Sequence, residues 1–539
     1  MIGVRSAILA ATLVLMSGLG GTVVLPTEVA AQSLEQTLRI HEEADRLYKQ
    51  GRYAESETLY KRALAVWEQV HDLAPELTQM FAVALNNLAE VYSAQRRYEE
   101  AEPLHRRALA IKEKALGPEH DSVVTSLKNL AKLYREQGRY ADLEPISRRL
   151  VAIAEKRFGP DHPNLASAIV DLATMYLSVG KYADAETLFS RALAIEQRAR
   201  GPRDPNVARI LSDLAVVYNK QAKYDEAEAL YKRALAIDET APGASQNNLA
   251  ATLNNLANVY QIQSKYGEAE TLYKRALAIT EKVLGANSAE AAQILNSLGV
   301  ANEKQHKYAE AEGLHRRALA INERALGGNH LETAITLNNL AVLYLRQDKL
   351  QEAEALFRRA LAINEQVLGS GHTNVASALN NLANVYERMG RYSEAERDYS
   401  RSIAIDEKAL GPSHPAIATT LNNIGNIYRQ LGKHGTAEAS YKRALVISEQ
   451  AFGPNHPQLA LSFSDLAELY NDQGRYSDSL PIIERTMVNR QAEKRSSFPS
   501  IFGAQKTGIL DQKRSFAYSY EVLQFASASA AANAIIKLG

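Results

Sequence analysis

The feature that most constrains this chain is that it repeats itself. Tyr98, Tyr140, Tyr182, Tyr224, Tyr266 and Tyr308 recur every 42 residues, the series continues through Leu350, Tyr392, His434 and Tyr476, and Tyr53 opens it with a 45-residue step. Eleven near-copies of one segment override the three or four ordinary domains that 539 residues would otherwise suggest. Within a copy, Leu253, Leu256, Val259 and Tyr260 follow helical spacing, and Ala269, Leu272, Tyr273, Ala276, Leu277 and Ile279 do the same. Each copy is therefore a pair of helices. One pair cannot bury its apolar face alone, so the copies must stack into an all-α solenoid.

The boundaries carry their own chemistry. Gly138, Gly180, Gly390, Gly432 and Gly474 stand two residues before the aromatic, where the first helix must stop and reverse. Gly117, Gly159, Gly201, Gly243, Gly285, Gly327, Gly369, Gly411 and Gly453 close the second helix, with the left-handed conformation of a glycine C-cap expected. Next come His162-Pro163, Asp204-Pro205, His414-Pro415 and His456-Pro457, where proline suits a helix's first turn. Small residues mark helix contacts: Ala89, Ala173, Ala257, Gly299 and Gly425 share one position of the first helix, and Ala101, Ala227 and Ala395 one of the second.

At these residues a resemblance becomes plain. Leu-Gly/Ala-x-x-Tyr, an alanine nine residues on and another seven further resembles the tetratricopeptide repeat. The 42-residue form with its "LGP-x-HP" connection is similar to the repeats of kinesin light chain. The resemblance spans residues 33–493 and implies a right-handed superhelical solenoid whose concave wall is made by the first helices. It does not imply motor binding, because no heptad coiled coil precedes the repeats.

Several classes of chemistry find no support. Lys+Arg and Asp+Glu are both 62, so nothing favours nucleic acid as a partner, and there is no cysteine for a nucleophile or thiolate site. His120, His162, His330, His372, His414 and His456 resemble a metal array, but one per repeat cannot converge on a centre. Asp204 and Ser288 take the same slot, as helix N-caps would. No phosphate-cradling glycine loop, His-Glu-x-x-His or Gly-x-Ser-x-Gly appears, and no cofactor is expected. Glu102–Arg106, Glu228–Lys232, Glu270–Lys274 and Glu438–Lys442 are i,i+4 pairs on a solvated face. The arginine from Arg62 through Arg107 and Arg275 to Arg485 suggests a fixed bond or stack between repeats, since lysine would serve solubility equally well.

The face that could bind is the first helices' polar side. Asparagine is a poor mid-helix residue, yet it clusters there, as in Asn254-Asn255 with Asn258. An amide both donates and accepts, so two roles are open: a ladder that fixes stacking, or a grip on an extended peptide backbone. In tetratricopeptide proteins an asparagine just before the repeat's Leu-Gly/Ala often touches peptide main chain. Asn87, Asn129, Asn255, Asn339, Asn381 and Asn423 match that position, while Asp171, Asp213, Ser297 and Asp465 depart from it. Asn258, Asn384 and Asn426 lie a turn further on, and Lys132, Arg135, Arg346 and Arg388 are interleaved with Val216, Val300, Val342 and Leu345. The expected partner is a protein or peptide, and the expected role a non-catalytic scaffold.

The two ends stand apart. Met1–Arg5, the apolar run Ala7–Leu19 and the small residues Val29-Ala30-Ala31 before Gln32 read as a signal peptide over residues 1–31, giving a periplasmic or secreted protein. An uncleaved signal would be its one membrane contact; a start codon chosen too far upstream is the third option. Residues 494–539 read as a linker, "EKRSSFPSIFGAQ", and a helix of small residues. That helix resembles the lead-in to the caspase-like CHAT peptidase domain that bacterial proteins carry behind such repeats. The alternative function is thus the sensor or adaptor half of a truncated or split peptidase.

Overall fold

The computed structural model describes residues 27–70, 75–454 and 459–488. The 22 helices there run in antiparallel pairs, with no strand among the described residues. The chain divides into two compact units, residues 1–259 and 260–539. In the first, Thr27–Lys49 pairs with Tyr53–Val70, Pro75–Ala94 with Tyr98–Leu116, Asp121–Glu136 with Tyr140–Phe158, Pro163–Ser178 with Tyr182–Arg200, and Pro205–Lys220 with Tyr224–Thr240. Helix Gln246–Ile262 carries the unit to its end. In the second, Tyr266–Leu284 comes first. It is followed by Ala289–Lys304 with Tyr308–Ala325, Leu331–Arg346 with Leu350–Leu368, Thr373–Arg388 with Tyr392–Leu410, Pro415–Gln430 with His434–Phe452, and Leu459–Asp472 with Tyr476–Val488. Each helix packs on the next from Thr27–Lys49 to Tyr224–Thr240 in the first unit and from Tyr266–Leu284 to Tyr476–Val488 in the second, and several first helices touch those of the adjacent repeat. The expected cut before Gln32 falls in the first turns of Thr27–Lys49. Residues 1–26 and the linker and C-terminal helix of 494–539 lie outside the described residues.

The helix starts follow the residue chemistry. His120, His162, His330, His372 and His414 are N-caps whose Nδ1 accepts from the backbone N–H two residues on, and Asp204 does the same with its carboxylate. Ser288 caps through its hydroxyl. His456 lies outside the described residues. Pro163, Pro205 and Pro415 open their helices.

The two glycine series differ. At Gly138 (φ 67°), Gly390 (φ 72°) and their equivalents the helix ends in a left-handed turn, and the next N–H reaches back five residues, as Arg139 does to the Tyr134 carbonyl at 2.9 Å. Five repeats fill this position without glycine: Arg96, Ala222, Ser264, His306 and Asp348 sit at φ of 59–62°. The second series does not take the expected left-handed helical geometry. Gly117 (φ 85°, ψ 159°) and Gly411 (φ 91°, ψ 154°) combine positive φ with extended ψ, a region open essentially to glycine alone. Their N–H closes the helix onto the fourth carbonyl back while the chain leaves extended toward the next N-cap. Gly243 stands three residues beyond its helix, which ends at Thr240.

The small-residue positions are buried helix contacts. Ala89, Ala173, Ala257, Ala101, Ala227 and Ala395 are wholly inaccessible. Even alanine is too large twice: a Cβ on Gly299 would lie 2.6 Å from His315 Cε1, and one on Gly425 2.5 Å from Tyr441 Cε1.

Two charged devices join successive repeats. The arginine of the second helix reaches the glutamate of the preceding repeat's second helix: Arg107–Glu68, Arg191–Glu155, Arg317–Glu281, Arg359–Glu323, Arg401–Glu365 and Arg443–Glu407. The inter-repeat bond expected of it is present. The i,i+4 glutamates do more than their spacing suggests. Glu102 pairs with Arg106 at 2.8 Å, accepts from the Tyr134 hydroxyl at 2.7 Å and binds Arg139, both of the next repeat, with Arg139 over the Tyr134 ring. Burial would raise the Glu102 carboxyl, but the bonds from Arg139, Tyr134 and Arg106 outweigh it and hold it down at about 2. Glu144, Glu312, Glu354 and Glu438 make the same clamp.

Candidate functional site

The first helices present three columns of polar side chains, each repeating once per helix pair. In the innermost, Asn86 Nδ2 donates to Ser126 Oγ at 2.9 Å, Asn296 to Thr336 at 2.6 Å and Asn422 to Ser462 at 2.8 Å, all across adjacent repeats. These contacts are buried. They extend inward, through Lys112 Nζ to Ser126 Oγ at 2.9 Å, and through His105 and His315, whose Nδ1 atoms meet the oxygens of Asn86 and Asn296. Burial pushes the Lys112 ammonium down to about 8 and both imidazoles down to about 4. This column is a structural ladder.

The second column holds the asparagines singled out from the sequence, and all are partly buried. Asn381 Nδ2 donates to Asn338 Oδ1 at 2.9 Å, Asn423 to Asn380 Oδ1 at 3.3 Å, and Asn87 to Asp45 Oδ1 at 3.2 Å while touching His41 Nε2 at 3.0 Å. Asn129, Asn255 and Asn339 have no side-chain hydrogen bond among the described residues. Some amides of this column thus tie repeats together and others stay available.

In the third column Asn384 and Asn426 accept from the hydroxyls of Tyr399 and Tyr441 of their own second helices, at 2.7 and 2.6 Å. Asp45 receives Tyr60 in the same way, and Asn258 holds the equivalent position. The interleaved cations are also engaged. Lys132 binds Glu90 at 2.8 Å, Arg346 binds Glu303, and Arg388 binds Asp348 at 2.9 Å and the Leu345 carbonyl, each partner being in the preceding repeat. Arg135 is exposed with no ion pair among the described residues. Three of these four cations are therefore neutralised within the wall.

Two residues escaped the sequence reading as site candidates. Asp213 is half-buried beside Arg209 at 3.4 Å, and burial pushes its carboxyl up to about 6 against the pull of that arginine. Tyr231 is 1% exposed, and its hydroxyl has no partner among the described residues. Their signal was in the sequence: Val216 stands where Asn384 and Asn426 stand, so the tyrosine fifteen residues on lacks its acceptor.

Among the described residues no group of three or more His, Asp or Glu side chains is placed to hold a metal, and no helix is long and apolar enough to cross a membrane.

Stacked helix pairs with this capping and this clamp define an all-α repeat solenoid. The tetratricopeptide repeat model matches residues 44–73, 80–142, 137–195, 165–240, 248–323, 290–366, 374–445 and 416–487, and the chain belongs to that family. Among solved structures it is similar to BtubC (BKLC) from P. vanneervenii, 24% identical over 43% of this chain and 93% of that one with a TM-score of 0.38. It is also similar to a Podosopora anserina putative kinesin light chain of nearly identical repeats, 24% identical over 38% and 98% with a TM-score of 0.34. The apo form of RapI matches over 68% of this chain and 98% of its own, at 14% identity and a TM-score of 0.50. No curated protein matches.

Proposed function

We propose that this chain is a non-catalytic scaffold that holds an extended segment of a partner protein along the first helices of a compact unit. The observation that carries the reading is the second column. Asn129, Asn255 and Asn339 keep partly buried, unpaired amides at the position where Asn381 and Asn423 bridge repeats. A half-buried amide without a partner forgoes a hydrogen bond that a peptide backbone can supply. The test is an Asn→Ala series with affinity and melting temperature measured together, using a peptide selected from a random display library. Asn339→Ala is expected to weaken binding by about 0.5–1.5 kcal/mol with the melting temperature unchanged. Asn381→Ala, which breaks the bond to Asn338, is expected to lower the melting temperature as well. Loss of stability at Asn339 with unchanged affinity of the folded fraction would sink the reading.

Residues 1–31 act, in this proposal, as an export signal that places the scaffold in the periplasm or outside the cell. The support is the apolar run Ala7–Leu19 followed by Val29-Ala30-Ala31. Mass spectrometry of the native protein is expected to find its N-terminus at or close to Gln32; an intact Met1 on cytosolic protein overturns it.

A further inference from the structure

The first unit's wall departs from the rest at two adjacent repeats. Asp171, on helix Pro163–Ser178, and Asp213, on helix Pro205–Lys220, replace asparagine at the second-column position. These two first helices touch, so Asp171 and Asp213 are neighbouring positions on one wall. Asp171 is exposed and has no partner among the described residues. Asp213 has only Arg209, at 3.4 Å on a side chain 41% exposed. Such a loose contact satisfies little of a carboxylate that has been half withdrawn from water.

Tyr231 supplies an independent sign. The residue is 1% exposed, and its hydroxyl is unpartnered among the described residues. The equivalents Tyr399 and Tyr441 direct their hydroxyls at the first-helix residue fifteen positions earlier, Asn384 and Asn426. In Tyr231's repeat that residue is Val216, one turn from Asp213 and partly exposed on the same face. The Tyr231 hydroxyl is therefore aimed at the wall beside Asp213, whose charge is felt at the phenol. No protein group completes this hydroxyl among the described residues, and a ligand group lying on the wall can do so.

Resting on the peptide-binding reading above, we propose that Asp171, Asp213 and the Tyr231 hydroxyl form a receptor for one basic side chain of the bound segment. The two carboxylates accept from the guanidinium of an arginine or the ammonium of a lysine. The phenol accepts a further N–H through its oxygen and donates its proton to Asp213 or to the segment's backbone carbonyl. Arginine fits better, because its planar fork can serve two carboxylates at once.

The test is selection of random displayed peptides on the full chain, beside its Asp171→Asn/Asp213→Asn variant. Wild type is expected to enrich arginine or lysine at one fixed position, and the variant to select peptides without it. For one selected peptide, exchanging that basic residue for glutamine should weaken binding to wild type about 10-fold and leave binding to the variant unchanged. Tyr231→Phe should weaken the basic peptide several-fold. So should Val216→Asn, which gives the hydroxyl an internal acceptor. Basic enrichment that survives in the variant, or wild-type peptides with no basic position, overturns this inference and leaves the scaffold reading standing. A wild type that selects no peptide overturns both. Should circular dichroism show the double variant unfolded, the glutamine-exchanged peptide and Tyr231→Phe decide alone: no change in either affinity overturns the proposal.

Discussion

At the scale of single residues, one backbone position separates comfort from strain. The turn that ends each first helix needs positive φ, supplied by glycine at 138, 180, 390, 432 and 474. Ala222 adopts φ 59° at the same position with a Cβ that disfavours it. The left-handed conformation costs a non-glycine residue about 1–2 kcal/mol, partly offset because glycine loses more backbone freedom on folding. Ala222→Gly is therefore expected to stabilise the protein by about 0.5–1 kcal/mol, read as a higher urea midpoint with an unchanged slope. An equal or lower midpoint would mean that the turn is not held in this conformation in solution. The turn's existence was legible in the glycines; that alanine, serine and aspartate follow the same path was not, because the neighbouring helices impose the geometry whatever the residue.

At the scale of the element, the clamp decides how one helix pair holds the next. The sequence showed Glu102 and Arg106 at i,i+4, a spacing worth about 0.2–0.5 kcal/mol. The fold adds Tyr134 and Arg139 of the following repeat to the same carboxylate. Glu102→Gln should cost about 1–2 kcal/mol at pH 7, toward the low end of charged hydrogen bonds because Arg106 and Arg139 are 56% and 38% exposed. The sign of its pH dependence follows from the carboxyl lying lower in the folded state, about 2 against an ordinary 4.5. Its contribution is complete above 4.5 and is lost as pH falls toward 2. The deficit of Glu102→Gln, measured by chemical denaturation from pH 7 to pH 2.5, should stay constant to about pH 4.5 and then shrink. A deficit independent of pH would show that packing of the side chain, not its charge, holds the repeats.

At the scale of the whole molecule, each compact unit is a succession of nearest-neighbour contacts, so its stability is a sum of repeats and joints. The joints are not alike. Lys112–Ser126–Asn86–His105 fills one, Asn322–Thr336–Asn296–His315 another, and Thr252 with Asp238 and Ser212 a third. Each is a buried polar set that a shifted neighbour would leave unsatisfied, which favours one register among near-identical repeats. The proposed binding draws on the same wall. The amides of Asn381 and Asn423 bridge repeats and serve stacking; those of Asn255 and Asn339 have no side-chain hydrogen bond among the described residues and are the ones the proposal assigns to a partner.

The sequence by itself determined the helix pairs, their boundaries, the small-residue contacts and the family, because period, caps and turns are local and are written eleven times over. His162 as an N-cap and Ala257 as a helix contact could be read without coordinates. Only the tertiary structure decided which polar residues of the first helices are engaged. Asn384 and Asn426 serve their own tyrosines, Lys132, Arg346 and Arg388 are neutralised by the preceding repeat, and the Tyr231 hydroxyl has no partner among the described residues. These outcomes depend on side chains about 15 or 42 residues away, brought within about 3 Å by stacking, a distance over which a hydrogen bond either forms or does not.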